Sequence, residues 1–322
     1  MRCIRPLIAN YDKKGNLTLN RNTVAMPGLL GMHLECRKCL PCRLNTAREK
    51  AIRAVHEADM SYHESMFLTL TYAPDKLTSN DLNELYPDFQ LFMKKIREHR
   101  SRKAQMSKIK YMVTGEYGDE TKRPHWHALI FNYWPKDTEH WRTTPIGHKI
   151  YRSEHLEKMW NKGNLEFGVV TMESAGYVAR YGAKKLVHGK DQDHEYHPKH
   201  VVSQGLGKSW IEKYYQQTFD QGYVLLPNGE KAKIPRYYQE WFKETYPEKY
   251  GHYVTNVKMK ILEQVEKKER KEEMEYLSRL LNQDDKNKNW NEHLNSIPDT
   301  RKQVQYRILK RKFKRLQEKL KL

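Results

Sequence analysis

The order of apolar and polar residues divides the first half of the chain into helical and strand-like segments. After Pro41, and again after Pro87 as the expected first residue of a helix, apolar residues recur every three or four positions. These two stripes are Leu44, Ala47, Ala51, Val55 and Ala58, then Phe89, Phe92, Met93 and Ile96. Residues 67–72, 111–114, 126–131 and 168–172 are short runs of apolar, β-branched and aromatic residues, which predict strands.

The segments between these runs complete a predicted fold. Pro124 and the polar residues before it close a hairpin turn, residues 133–150 predict a polar loop, and residues 153–160 predict a short helix. Ser174 is the expected N-cap of a helix that follows the last strand. This order predicts an α+β fold with a central antiparallel sheet and helices packed on one of its faces.

The remainder of the chain differs in composition. Residues 210–250 interleave Tyr and Trp with Lys and Arg, which suits base stacking along single-stranded DNA and equally suits core packing. From about residue 256 the chain is rich in Lys, Glu, Gln and Asn, and we expect a mainly helical, basic C-terminal extension. Its last helix has an apolar stripe formed by Tyr306, Leu309, Phe313, Leu316 and Leu320.

The charge of the chain indicates a polyanionic partner. Its 322 residues include 59 Lys and Arg against 40 Asp and Glu, which gives a net charge of +19 and a pI near 9.5. Mean hydropathy is −0.95, no apolar run approaches about 18 residues, and the N-terminus lacks the apolar stretch of a signal peptide. We therefore expect no membrane partner and a cytoplasmic location.

His125 and His127 are two residues apart in a strand-like run, so their side chains point to the same face of a sheet. Glu116 ends the preceding strand and lies across the hairpin from them, with Glu120 as the alternative carboxylate. Two imidazoles and a carboxylate can hold one divalent ion and leave positions open for substrate oxygens. We expect Mg²⁺ or Mn²⁺, and imidazole ligation favours Mn²⁺.

A second motif lies in the helix predicted after residue 172. Tyr177 and Tyr181 are four residues apart and share a helix face, and Lys184 follows three residues later. Beside a metal site, tyrosine hydroxyls suit nucleophilic attack on a phosphodiester. Tyr181 and Tyr177 are therefore candidate nucleophiles and Lys184 a candidate catalytic cation. The alternative is that Tyr177 only packs against the sheet.

Three motifs in this order resemble those of the HUH endonucleases that initiate rolling-circle replication. More closely, the chain resembles the replication initiators of microviruses, in particular the gokushovirus branch. The motifs are residues 67–72, 124–129 and 177–185, and residues 36–42 and 205–207 extend the resemblance over most of the first 250 residues. The resemblance implies an RRM-like palm, and a tyrosine that nicks single-stranded DNA at an origin through a 5′-phosphotyrosine link and later rejoins it.

The resemblance also implies DNA contacts and partners. In the family the first motif lies beside the active site and contributes to binding single-stranded DNA, which points to Thr69 and Thr71. Arg180 and Lys185 of the third motif are further candidate DNA contacts. Single-stranded origin DNA and the host replication helicase and polymerase are the implied partners, and the sequence does not indicate an oligomeric state.

Four segments are expected on this basis. Residues 1–60 hold the cysteines and the first helix, 61–190 the endonuclease core, 191–255 an aromatic and basic extension, and 256–322 a basic helical tail. A plasmid relaxase or a single-strand transposase would use the same chemistry, although two tyrosines with phage-like flanks argue against the transposase. A non-catalytic binder of single-stranded nucleic acid would use none of it.

The cysteines and two other patterns leave their roles open. Cys3, Cys36, Cys39 and Cys42 make a complete set for a structural Zn²⁺, and buried reduced thiols are the alternative. His194, His197 and His200 indicate a solvated loop. Residues 205–209 resemble a phosphate-binding loop, but Val202 stands where a Walker A motif has glycine, so nucleotide hydrolysis is not expected.

Overall fold

The chain forms two compact units in the structure, a computed structural model. The core unit is Arg43–Thr245, and the terminal unit combines Met1–Cys42 with Tyr246–Leu322. The structure describes residues 3–11, 17–19, 32–61, 64–101, 108–118, 121–145, 147–184, 199–283 and 300–319.

The helices and strands alternate through most of the chain. The strands are β1 (Leu7–Tyr11), β2 (Leu17–Thr18), β3 (Met32–Leu34), β4 (Met66–Thr71), β5 (Lys110–Tyr117), β6 (Pro124–Phe131), β7 (Glu139–Thr143), β8 (Lys149–Arg152), β9 (Leu165–Val169), β10 (Lys199–Val202), β11 (Val224–Leu225) and β12 (Lys231–Ala232). The helices are α1 (Leu40–Asp59), α2 (Leu82–Ser101), α3 (Glu154–Trp160), α4 (Met172–Lys184), α5 (Lys208–Gln221), α6 (Arg236–Thr245), α7 (Pro247–Tyr253), α8 (Met259–Gln283) and α9 (Arg301–Lys319).

A seven-stranded antiparallel sheet organises the core unit. Its strand order is β10-β5-β6-β4-β9-β8-β7, so β4 is the central strand as its apolar sequence predicts. The hairpin of β5 and β6 pairs Glu116 with His125 and Thr114 with His127, and β4 pairs Thr69 with His127 from the other side. The predicted α+β class is therefore confirmed, with a central antiparallel sheet, helices packed on it and a helical C-terminal region.

Helices cover both faces of this sheet. On one face α2 and α3 pack against a core that includes Leu68 and Trp126, and on the other α1 and α4 pack against Leu129 and Phe131. The prediction of helices on one face is wrong because alternate residues of β6 are buried on opposite sides. A sheet that is apolar on both faces must be covered on both. The odd-numbered residues of β6, including the two histidines, face α1 and α4.

Close packing on the face of α2 depends on a glycine in β5. A Cβ atom built at Gly115 would lie 2.5 Å from the Trp126 ring and 2.7 Å from the Leu82 side chain. The indole of Trp126, which is fully buried, donates a hydrogen bond to the hydroxyl of Tyr72 over 3.0 Å. The side of the hairpin behind the histidines is thus rigidly filled.

Several predicted elements differ from the observed ones. Helix α2 begins five residues before Pro87, and the Asp81 carboxylate accepts a hydrogen bond from the Asn83 N–H over 2.8 Å as a cap. The expected loop at residues 133–150 contains β7 and part of β8. All five residues of β7 are exposed, so no apolar alternation marks the strand. The short helix α3 is confirmed, with Ser153 as its N-cap.

The terminal unit contains a small sheet and the C-terminal helices. Strand β1 pairs with both β2 and β3, in antiparallel fashion. Helix α9 carries half-buried Tyr306, Leu309 and Phe313 on one side, and its arginine Arg301 lies 2.6 Å from the carboxylate of Glu272 on α8. No described helix combines the length and apolar composition that crossing a membrane requires.

Candidate metal centre and tyrosine helix

Glu116, His125 and His127 converge on one point at the face of the sheet that α4 covers. Oε1 of Glu116 lies 3.0 Å from Nε2 of His125 and 2.9 Å from Nε2 of His127. The register of the hairpin causes this convergence, because Glu116 stands directly opposite His125 and the side chains of His125 and His127 project to the same face. Glu120, the alternative carboxylate, lies outside the described residues.

Both histidines present the same nitrogen to this point. Nδ1 of His127 lies 3.2 Å from the hydroxyl of Thr69, and Nδ1 of His125 lies 3.3 Å from the carbonyl oxygen of Arg123. When Nδ1–H donates to these oxygens, each Nε2 keeps its lone pair for a cation, which is how metal-binding histidines are usually held. The described donor set therefore fits a divalent ion with oxygen or borderline preferences.

Burial and charge shape the acid–base properties of the cluster. Burial raises the pKa of Glu116, but hydrogen bonds from His125 and His127 outweigh it and lower that pKa to about 2. Burial lowers the pKa of His127, and the hydrogen bond to Glu116 opposes this shift. A carboxylate that stays ionised and an imidazole that stays neutral are the states in which both residues bind metal.

Tyr177 of α4 points its hydroxyl at the same cluster. The hydroxyl lies 3.3 Å from Nε2 of His127 and 3.4 Å from Oε1 of Glu116. Its ring packs edge-on against His127 and Phe67, with ring centroids 5.0 and 6.0 Å apart. The side chain thus packs against the sheet and also brings a nucleophilic oxygen to the atoms that would hold an ion.

Two local features fix α4 over the cluster. The cap is Thr171 rather than the predicted Ser174: the Ser174 N–H donates to Oγ1 of Thr171 over 3.1 Å, and the Thr171 N–H donates to Oγ of Ser174 over 2.8 Å. From the sheet, the buried hydroxyl of Thr114 donates to the carbonyl of Val178 over 3.2 Å. Thr114 thereby ties β5 to the turn of α4 that carries Tyr177.

The other predicted site residues of the third motif are only partly described. Tyr181 and Lys184 lie within α4, one and two turns after Tyr177, and their side chains lie outside the described part of the chain, as does the whole of Lys185. Arg180 is half-buried and folds back along α4, so that its guanidinium would lie 3.1 Å from a Cβ atom built at Gly176.

Thr69 and Thr71 occupy different surroundings although they share a strand face. Thr69 contacts the ring of His127, while the hydroxyl of Thr71 donates to the carbonyl of Asn164 over 3.2 Å. The structure therefore gives Thr69 a contact with a candidate metal ligand, in addition to its predicted role toward DNA. The pairing of Thr69 with His127 depends on strand register, which the sequence alone does not reveal.

Thr114 and His200 are supporting residues that the sequence analysis missed. His200 lies in β10, and its Nδ1 is 2.7 Å from the hydroxyl of Thr114, which itself stands beside His127. The expectation of a solvated loop is wrong for His200, because the pair Val201 and Val202 continues it as an edge strand along β5. His194 and His197 lie outside the described residues. Period-two spacing from Glu116 was the available signal for Thr114.

The four cysteines lie together in the terminal unit. Cys3 and Cys42 are buried, Cys36 and Cys39 are half-buried, and all four thiols are free. One sulfur from each gives a set whose members all lie within 4.8 Å of one another. The chain therefore carries two groups with the composition of metal sites, one in each unit.

An antiparallel sheet that presents two histidines and a carboxylate to a tyrosine-bearing helix defines a class of candidate metal-dependent phosphodiester-processing proteins. Comparisons with known proteins narrow this class. Residues 65–186, from the start of β4 to the end of α4, match the family model of the ORF2-type replication-associated proteins. No solved structure matches the chain.

Three relatives carry the same description. The chain is 48% identical to replication-associated protein VP4 of Bdellovibrio phage phiMH2K, over 100% of both chains. It is 29% identical to replication-associated protein ORF2 of Spiroplasma virus 4, over 76% of this chain and 83% of that one. It is 33% identical to replication-associated protein ORF4 of Chlamydia phage 1, over 66% of this chain and 54% of that one. The chain belongs to the microviral replication-associated proteins, the family of rolling-circle replication initiators.

Proposed function

We propose that the chain nicks single-stranded DNA at a replication origin and later rejoins the ends, with a tyrosine of α4 as nucleophile. Glu116, His125 and His127 would hold Mg²⁺ or Mn²⁺. The observation that carries this proposal is the hydroxyl of Tyr177, 3.3 and 3.4 Å from ligand atoms of His127 and Glu116. A nucleophile beside the position of a cation is the arrangement that attack on a phosphodiester requires.

The proposed reaction exchanges one phosphate ester for another. The phenolic oxygen bonds to phosphorus, the bond from phosphorus to the 3′ oxygen breaks, the tyrosine loses its proton and the 3′ oxygen gains one. The products are a 5′-phosphotyrosine and a free 3′-OH, and attack by a 3′-OH on the phosphotyrosine rejoins DNA without ATP. A bound divalent ion would supply charge neutralisation at the phosphate.

The residues around the ligands have positioning roles in this proposal. Thr69 and the carbonyl of Arg123 orient the two imidazoles, and Thr114 holds α4 at the sheet. These contacts fix the ligands and the tyrosine before DNA binds, which is where most of the catalytic advantage of such a site lies.

Tyr181 is the proposed second nucleophile, and Lys184 the proposed cation beside the phosphate. Residue 181 follows Tyr177 by one turn of α4, and i,i+4 positions are about 6 Å apart at Cβ. An initiator that cleaves the regenerated origin while it still holds the old 5′ end needs two nucleophiles. Arg180, Lys185 and Thr71 remain proposed DNA contacts.

The proposed partners follow from the charge and the family. A net charge of +19 favours a polyanion, and the relatives are named as replication-associated proteins of phages. Single-stranded origin DNA in the cytoplasm of a bacterial host is the proposed substrate, and the host helicase and polymerase are the proposed replication partners.

Formation of a covalent adduct tests the proposal against a pure binding function. The full chain is incubated with 3′-labelled single-stranded oligonucleotides tiled along the phage genome, with and without Mn²⁺, and resolved under denaturing conditions. We expect one origin oligonucleotide to give a Mn²⁺-dependent labelled protein band. Tyr86→Phe is the matched control, because this tyrosine lies on α2 at the opposite face of the sheet and should leave the adduct unchanged.

The possible outcomes separate the candidate functions. Binding without an adduct across the whole tiling would support a non-catalytic single-strand binder and contradict the proposal. An adduct that forms equally well without a divalent ion would contradict the role of Glu116, His125 and His127. A plasmid relaxase or transposase would require an origin outside the phage genome, so an adduct with a phage oligonucleotide argues against both.

A further inference from the structure

The four cysteines of the terminal unit converge although one is far from the others in sequence. Cys3 precedes β1, Cys36 follows β3, and Cys39 and Cys42 stand at the start of α1. Because β1 and β3 pair with Leu7 opposite Leu34, the small sheet brings Cys3 back to Cys36. The sheet and the first turn of α1 thus assemble the cluster.

The spacing of the sulfurs is that of ligands around a single ion. Sγ of Cys39 lies 3.8 Å from Sγ of Cys3, and a disulfide bond would need about 2.05 Å. Four sulfurs at about 2.3 Å from a tetrahedral zinc are separated by about 3.8 Å along each edge. The observed separation of Cys3 and Cys39 matches that edge, and all four ligand atoms fall within 4.8 Å of one another.

Backbone N–H groups point at two of these sulfurs. The Cys36 N–H donates to Sγ of Cys3 over 3.3 Å, and the Cys39 N–H donates to Sγ of Cys36 over 3.4 Å. The second contact needs a tight turn, and Arg37 supplies it with a left-handed backbone, φ 56°. Donors aimed at sulfur stabilise thiolates, which are the form that binds metal.

The small sheet lacks a core of its own to hold these segments together. Among its side chains whose burial is described, only Ala9 is buried, whereas Leu7 and Ile8 are each 44% exposed. Short strands with so little buried apolar surface are marginal in water. Small elements of this kind are commonly held by a metal whose binding energy contributes directly to folding.

We propose that Cys3, Cys36, Cys39 and Cys42 bind one Zn²⁺ that joins the small N-terminal sheet to the start of α1. Four thiolates complete the tetrahedral coordination of zinc and leave no position for substrate, so this ion is structural. It is distinct in ligand chemistry from the ion proposed at Glu116, His125 and His127, since thiolates prefer zinc and carboxylate with imidazole tolerates Mg²⁺ or Mn²⁺.

Metal analysis of the full chain tests this proposal. The protein is expressed in medium that contains both zinc and iron, purified under reducing conditions, and passed through a weak chelator before elemental analysis. We expect one zinc per chain, retained in a Glu116→Ala, His125→Ala double variant and lost in Cys36→Ser, Cys39→Ser. A Cys39→His variant keeps a common zinc ligand set and should regain most of the zinc.

Cobalt substitution gives a second readout that needs no variant. Replacing the zinc of the full chain with Co²⁺ should produce thiolate-to-cobalt charge-transfer absorption and the visible bands of tetrahedral cobalt. Absence of zinc from the wild-type protein together with absence of these bands would overturn the proposal. Zinc that persists in the double cysteine variant would do the same, and iron found in place of zinc would overturn the identity of the metal.

Discussion

The two candidate metal groups resemble each other in convergence and differ in nearly everything else. Glu116, His125 and His127 project from adjacent strands of a large sheet, and a tyrosine hydroxyl reaches the same point. The four cysteines stand at the ends of a small sheet and the start of a helix, and their sulfurs surround that point themselves. The first group leaves room for chemistry, and the second group closes on itself.

This difference shows how the number and type of ligands divide structural from catalytic roles. Three borderline or hard ligands with second contacts to Thr69 and a backbone carbonyl leave coordination positions for phosphate oxygens. Four thiolates satisfy a tetrahedral ion completely. The rigid core behind the histidines has no need of a metal to fold, whereas the small sheet has little else to hold it.

The sharpest way to break the comparison is to remove one histidine. We expect His127→Ala to reduce DNA cleavage by about 1,000-fold or more, because this variant lacks both one of three ligands and the partner of the Tyr177 hydroxyl. Affinity for single-stranded DNA should change less than about threefold, since phosphate contacts dominate binding. The zinc content should stay at that of the wild-type chain. Loss of zinc in this variant would mean that the two groups are not independent.

A buried histidine without a carboxylate partner sharpens the contrast with His127. His56 stacks on Trp210 with ring centroids 3.7 Å apart, and its two nitrogens contact the Tyr238 hydroxyl and the Leu225 carbonyl, each over 3.0 Å. Burial lowers the pKa of His56 to about 4. Between pH 6.5 and pH 4 the unfolded chain therefore takes up a proton that the folded chain does not.

The free energy of unfolding should consequently fall as the pH falls through this window, by about 3 kcal/mol from this residue alone. Urea titrations at pH 7 and pH 5 check it: the wild-type chain should lose about 2 kcal/mol more than His56→Gln over this interval. His140→Gln, at an exposed position on β7, is the matched control and should behave like the wild type. Equal losses in the wild type and His56→Gln would contradict the assignment.

Thr69 tests whether the contacts behind the metal ligands matter. Removal of its hydroxyl in Thr69→Val leaves Nδ1 of His127 without this partner, and we expect the Mn²⁺ concentration for half-maximal cleavage to rise about tenfold. Thr69→Ser should restore the wild-type value. Thr71→Val, on the same strand face but bonded to Asn164, should leave the metal requirement unchanged. A tenfold rise in Thr71→Val as well would place the effect in DNA binding instead.

The smallest expected effect concerns the basic side of α9. Lys310, Arg311, Lys312, Lys314 and Arg315 are all exposed, opposite the half-buried stripe. Replacement of all five by Gln should weaken binding to long single strands and flatten its salt dependence by up to about 0.7 in log–log slope for each phosphate that the variant no longer neutralises. Cleavage of a short oligonucleotide should be unaffected. An unchanged slope would assign α9 to packing or to a protein partner.

The sequence predicts the elements that have strong periodicity and misses those that depend on pairing. The stripe on α1 and the apolar run of β4 are visible because a buried face repeats at 3.6 or 2 residues. Strand β7 is exposed at every position and β10 follows polar residues, so neither has such a signal. Their hydrogen bonds come from neighbouring strands, which the local sequence does not encode.

The candidate site shows the same division. The spacing of His125 and His127 on a strand predicts a shared face without any knowledge of the fold, and Glu116 follows from a short hairpin. The contacts of Thr69 and Thr114 require the register of three strands and the placement of α4, and the side to which the helix packs could not be deduced from its own stripe. The cysteine motif indicates three ligands, and the return of Cys3 depends on the pairing of β1 with β3.

The central claim is that tyrosines of α4 attack DNA at the point where Glu116, His125 and His127 converge. Mass spectrometry of the peptide that carries the DNA, from adducts trapped with Mn²⁺, tests it most directly. We predict DNA on Tyr177 and Tyr181 in the wild-type chain, on the remaining tyrosine in each single Phe variant, and no adduct in the double variant. DNA attached to a residue outside α4, or an adduct that survives in Tyr177→Phe, Tyr181→Phe, would contradict the claim.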